Sequence, residues 1–126
     1  MRKELFNWLK QSRKDLEAAE KSLGVEEYYL VGFLCQQSVE KGLKAVIMFR
    51  EKIAFVEGHS LIYLASRAKA PMELMPELKK LSPQYTFARY PDLTDEAPYE
   101  LYDEQIAKEF LKTAKDVMIW IEKQLQ

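Results

Sequence analysis

The densest run of side chains able to do chemistry is Tyr85-Thr86-Phe87-Ala88-Arg89-Tyr90-Pro91-Asp92. A guanidinium set among aromatics can hold a phosphate while a ring stacks on a base. The competing structural reading has the rings plugging the end of a helical bundle while Arg89 pairs with Asp92 or another carboxylate. A second set, Gln37, Lys41 and Lys44, is spaced four then three and so shares one helical face. These residues would line a phosphate-friendly groove meeting Arg89. Alternatively Glu40 and Lys44 form an ordinary i,i+4 pair worth about 0.3–0.5 kcal/mol, and the glutamines satisfy loop carbonyls. His59 is the sole histidine. It is a general acid or base on one reading and a cap or packing residue before a helix on the other.

Other chemistries lack their parts. A di-iron bundle needs Glu-x-x-His motifs, but Val56 stands three residues before His59. Zinc sites need several Cys or His ligands, and the chain has one of each. Neither a phosphate-binding P-loop nor a dinucleotide fingerprint occurs. A Ser-His-Asp triad would have to use His59, whose neighbour Ser60 cannot face it across a site. No metal and no cofactor is expected. Cys35, the lone cysteine, lies in an apolar run and reads as a small buried hydrophobe.

The elements that must position these residues are helical. Leu5, Leu9, Leu16, Ala19 and Leu23 recur at helical steps, Ser12 fills the gap, and Gly24 follows as a C-terminal stop. A second helix is predicted from Glu26 to Glu51, on the order of 40 Å long at 1.5 Å per residue. It is apolar nearly all round, through Tyr29, Phe33, Leu34, Val39, Leu43, Val46, Ile47 and Phe49, which places it at the bundle centre or across a subunit contact. Shorter helices are predicted at Ser60–Lys69 and at Glu73–Leu81, with Pro76 tolerated in the first turn of the latter. Ser82–Tyr102 reads as a long irregular segment rich in Pro and Tyr. A last helix spans Asp103–Leu125 with Ala107, Leu111, Ala114, Met118, Ile121 and Leu125 as its seam. The expected fold is all-α, an up-and-down bundle of four main helices with one short extra helix, in a single domain over 1–126.

With 48% hydrophobic residues in 126 the chain can build a core. Its net charge of -1 argues against binding driven by a global basic excess, so any nucleic-acid role rests on a local patch or a partner. Apolar stretches are broken by Gln36, Gln37, Glu40 and Lys41, too early for a membrane span, and Met1–Lys14 is mixed in charge. A reducing cytoplasm is the expected compartment.

Trp8, Asp15-Leu16, Tyr28-Tyr29, Phe33, the block Gln36-Gln37-Ser38-Val39-Glu40-Lys41-Gly42-Leu43-Lys44-Ala45, Gly58-His59-Ser60-Leu61 and Arg89-Tyr90-Pro91-Asp92 together resemble the HEPN domain family, over almost the full chain. The Gln-Gln block is the most specific part. The resemblance implies a helical bundle that commonly dimerises and associates with nucleotides or RNA. In prokaryotes such proteins are often encoded beside a minimal nucleotidyltransferase, as toxin and antitoxin or as a two-component enzyme. HEPN ribonucleases carry Arg, four to six residues, then His. Here no histidine follows Arg89, and Arg50 lies too far before His59. The Tyr-Pro-Asp context resembles the subgroup tied to nucleotide or nucleotidyltransferase partnership. The resemblance thus implies a non-catalytic binding subunit with Arg89, in its Tyr90-Pro91-Asp92 context, as a ligand contact; the reading of the residues adds Tyr85, Lys41, Lys44, Gln37 and His59 as candidates. One alternative is a metal-independent ribonuclease toxin with a divergent site using His59 and Arg89 across a dimer; another is an assembly module with no small ligand.

Overall fold

The computed structural model describes residues 2–126, and among them there is helix and loop but no strand. Helix α1 (Arg2–Gly24) buries Leu5, Leu9, Ser12, Asp15 and Ala19, one stripe with two polar members. A tight turn with Glu26 at positive φ reverses the chain into α2 (Tyr28–Glu51). The apolar character of α2 on nearly every side has its explanation in its place. It packs against α1, against α6 (Glu104–Gln124) and against α3 (Leu61–Arg67), and it is buried almost without a break from Cys35 to Met48. Leu43, Ile47 and Met48 have no exposed surface, each worth about 1.5–3 kcal/mol of apolar burial. Most of the apolar excess seen in the sequence therefore fills the monomer core.

Helix α2 stops at Lys52, which takes the left-handed conformation while its N–H reaches back to the Met48 carbonyl. The following loop turns at Gly58, whose φ of 106° is open to glycine and costly for other residues. It delivers His59 immediately before Ser60, the N-cap of α3, whose hydroxyl accepts from the Tyr63 N–H at 3.2 Å. The predicted Glu73–Leu81 helix is composite: a 3₁₀ turn at Met72–Leu74 leads into α4 (Met75–Leu81), with Pro76 in its first turn. Helices α3 and α4 are short and pack on each other and on α2, so between them they occupy the remaining side of the bundle.

The aromatic segment is more ordered than its composition implies. Residues Gln84–Phe87 form a single helical turn, α5, and Pro98–Leu101 form a 3₁₀ turn. Tyr102, the residue after the 3₁₀ turn, donates its hydroxyl to the Gln84 side chain of α5, and both turns touch α2. Asp103 then caps α6, accepting from the Ile106 N–H at 2.8 Å. Two surface ion pairs join α6 to α1, Arg13 to Glu122 at 2.6 Å and Lys115 to Glu20 at 3.1 Å.

Close approach between α1 and α2 is made by small residues. Ser12 donates its hydroxyl to the Ser38 carbonyl at 2.6 Å, and Ser38 donates back to the Ser12 carbonyl at 2.8 Å. Gly42 completes the contact, since a Cβ there would lie 2.5 Å from Ile121 Cδ1 and 3.0 Å from Ser12 Oγ. Among the described residues no helix is long and apolar enough to cross a membrane.

Candidate functional site

At the centre of the site is Glu40, a carboxylate on the middle of α2 with 5% side-chain exposure. Burying an ionised group is tolerated only when it is paired and hydrogen-bonded. Glu40 has three polar neighbours. Lys44, one turn on, approaches at 3.2 Å and is itself 6% exposed. Gln36, one turn back, donates to Glu40 at 3.2 Å and lies equally close to the His59 carbonyl. The third is the His59 ring, whose Nδ1 lies 3.1 and 3.2 Å from the two carboxylate oxygens. Gln37 extends the chain of contacts, donating to the Gln36 side-chain oxygen at 2.8 Å.

Half of the His59 side chain remains exposed, and its ring stacks on Tyr85, centroids 4.0 Å apart and planes 13° from parallel. The same tyrosine ring carries Arg89, whose guanidinium carbon is 4.2 Å from its centroid. Arg89 also lies 4.9 Å from the Tyr90 ring and 5.6 Å from that of Phe33, and its Nε donates to the Tyr85 carbonyl at 2.8 Å. Three aromatic faces and one carbonyl thus fix an exposed guanidinium that has no carboxylate partner among the described residues. Such a group keeps its terminal N–H donors for an incoming anion.

The structure divides the set expected from the sequence. Arg89, Tyr85, Tyr90 and His59 come together. Lys44 reaches them only through Glu40, and its ammonium faces inward, 5.4 Å from the Trp8 ring. Lys41 turns to α1, where Asp15 holds it at 2.6 Å with Gln11 on the other carboxylate oxygen. Both lysines are therefore already neutralised. The expected basic groove, with Gln37, Lys41 and Lys44 meeting Arg89, is not assembled in this arrangement, because the nearest buried carboxylates claim both ammonium groups. Asp92 is exposed and makes no clasp with Arg89.

Sequence reasoning passed over Glu40 as a buried anchor, treating it as half of a solvated pair; its reading that glutamines satisfy loop carbonyls holds for Gln36, which donates to the His59 carbonyl. One signal was available: Gln36, Glu40 and Lys44 follow each other at steps of four on a helix apolar on nearly all sides, so some polar residues had to be buried. Burial also governs Cys35, whose thiol is pushed up from its ordinary 9.0 to about 12 and stays protonated and unreactive at neutral pH. Among the described residues no cluster of three or more His, Cys, Asp or Glu side chains could hold a metal ion.

Comparison with known proteins agrees with this architecture. The family model described as HEPN domain matches residues 6–124. A Methanocaldococcus jannaschii protein named "Putative toxin MJ1304" is 30% identical over 125 residues, covering 88% of this chain and 81% of that protein. The crystal structure of TT1696 from Thermus thermophilus superposes with a TM-score of 0.87 at 29% identity, covering 95% of this chain and 97% of that one. That of ST0689, an archaeal HEPN homologue, does so with a TM-score of 0.82 at 33% identity, covering 97% and 98%. Matched along nearly its whole length in sequence and in fold, the chain belongs to the HEPN domain family.

Proposed function

We propose that this protein is a nucleotide- or RNA-associated binding subunit, not itself catalytic, that acts as a homodimer beside a minimal nucleotidyltransferase in a toxin–antitoxin-like or two-component system. The observation that carries the reading is Arg89, an exposed guanidinium held over three aromatic rings with no carboxylate to neutralise it. A fixed cation beside stackable rings suits a phosphate followed by a base. The name of the M. jannaschii relative supports a toxin-like setting. In this reading Arg89 bears the anion, while the nucleotidyltransferase supplies its own metal-binding carboxylates. Phe49 and Phe55, at and just beyond the end of α2, leave apolar surface for the two-fold contact.

Titration of mononucleotides and single-stranded RNA against the wild type and Arg89→Ala tests this. The substitution is expected to weaken binding by about tenfold or more, the loss of charge-assisted hydrogen bonds to phosphate. Equal, negligible binding by both proteins removes the ligand reading. Light scattering on the same samples reads the assembly, and a monomer mass removes the dimer. Failure to co-elute with any nucleotidyltransferase encoded beside the chain removes that partner.

A second reading, metal-independent RNA cleavage at a divergent site, is favoured by one specific observation. The buried Glu40 carboxylate sits on His59 Nδ1, which in the neutral ring holds the proton there and leaves Nε2 to accept one, with Arg89 on the adjoining Tyr85. An oriented imidazole beside a fixed cation can move a proton while phosphate charge is stabilised. Cleavage of RNA by chelator-treated protein, lost in His59→Ala, supports it; RNA left intact after long incubation sinks it.

A further inference from the structure

Besides its aromatic platform, Arg89 lines a cleft of about 430 Å³, within the range of ~300–1,000 Å³ usual for small-molecule sites. Glu27, Tyr29, Pro91, Pro98 and Tyr99 supply its other working walls. Two of these groups are charged and unsatisfied. The Arg89 guanidinium uses only its Nε, on the Tyr85 carbonyl. The Glu27 carboxylate is exposed and has neither an ion-pair nor a hydrogen-bond partner among the described residues, although its residue stands at the N-cap of α2. The two line one cleft without pairing to each other. Tyr29 and the largely exposed Tyr99 line the same cleft with aromatic rings, and the two prolines add apolar surface.

A ligand that satisfies all of this must carry an anion for Arg89, a flat ring for the tyrosines and, for Glu27, an edge that presents donors. Among the common bases, guanine alone sets two donors side by side, N1–H and N2–H, matching both oxygens of a carboxylate. Adenine and cytosine place a ring acceptor beside their amino group, so one carboxylate oxygen would face a lone pair. Uracil offers a single N–H between two carbonyls. A site whose polar group is left facing the wrong edge discriminates strongly. We infer that this cleft is a guanine-nucleotide subsite, with Glu27 reading the base edge, Tyr29 or Tyr99 covering the ring and Arg89 taking the phosphate. The inference rests on the nucleotide-binding reading above and adds a base preference to it.

Calorimetric titration of the full chain with GMP, IMP, AMP and guanosine tests it, with Glu27→Ala and Arg89→Ala as variants. GMP should bind about tenfold or more tighter than AMP, with IMP, which lacks the N2 amine, in between. Glu27→Ala should erase the difference, weakening GMP while leaving AMP no weaker. Its fold is not at stake, because the Glu27 side chain makes no capping bond. Arg89→Ala should weaken GMP but not guanosine. Equal binding of GMP and AMP, or a guanine preference that survives in Glu27→Ala, overturns the inference. If AMP and polyadenylate bind as well as GMP and lose affinity in Arg89→Ala, the subsite falls and the binding-subunit reading stands. If no nucleotide or RNA binds, both fall.

Discussion

Glu40 shows how much a single residue can depend on its surroundings. As an i,i+4 partner of Lys44 on an open helix it would be worth a few tenths of a kcal/mol. Here both groups are withdrawn from water, with Gln36 and His59 completing the carboxylate's contacts and Trp8 beside the ammonium. Removing one member of such a pair strands the other. Glu40→Ala is therefore expected to destabilise the protein by about 3–5 kcal/mol, read as a shift of the urea midpoint. A change under about 1 kcal/mol would mean that Lys44 escapes to solvent when its partner is gone. The pair was legible in the spacing of Glu40 and Lys44, but its burial was not, because that depends on what covers α2. Nor was the contact to His59, nineteen residues further along the chain. The aromatic setting of Arg89 was legible, since Tyr85 and Tyr90 are its near neighbours; Phe33 joins them only through the fold.

At the scale of elements, the three long helices follow from periodicity, with ends close to those expected. The predicted second helix begins two residues early because Glu26 adopts positive φ in the turn, which no pattern of apolar residues reports. Ser82–Tyr102 was legible as a break and not as a short helical turn followed by a 3₁₀ turn, since elements of four residues are too brief to repeat. In α1, Ser12 sits where the apolar stripe calls for a larger side chain. Its reason is the reciprocal pair with Ser38 and the absent side chain at Gly42. Ser12→Val would push a methyl group against a carbonyl 2.6 Å away. A loss of about 1–3 kcal/mol is expected from overpacking, whereas Ser12→Ala should cost about 1 kcal/mol for the hydrogen bond alone. Thermal melts of both variants distinguish these outcomes, and a fully stable Ser12→Val would show that the two helices can separate without penalty.

On the scale of the whole molecule, a net charge of -1 offers no global basic excess, so an anion site rests on a local group such as the Arg89 singled out in the sequence. The fold narrows the choice: Lys41, Lys44, Arg13 and Arg67 each face a carboxylate, whereas Arg89 faces none among the described residues and lies over three aromatic rings. Family membership could be read from the Gln36–Ala45 block, because that block builds the wall between core and site. The same wall has a thermodynamic consequence. Helix α2 is at once the hub of the packing and the bearer of Glu40, so the residues that orient His59 cannot loosen by local fraying. Their mobility is coupled to the opening of the entire chain. Amide protons in the middle of α2 should accordingly exchange with deuterium only through global unfolding, with protection that tracks overall stability across denaturant, while those of Ser82–Tyr102 exchange through smaller openings. Earlier exchange at Gln36–Lys44 than in α1 and α6 would break that coupling.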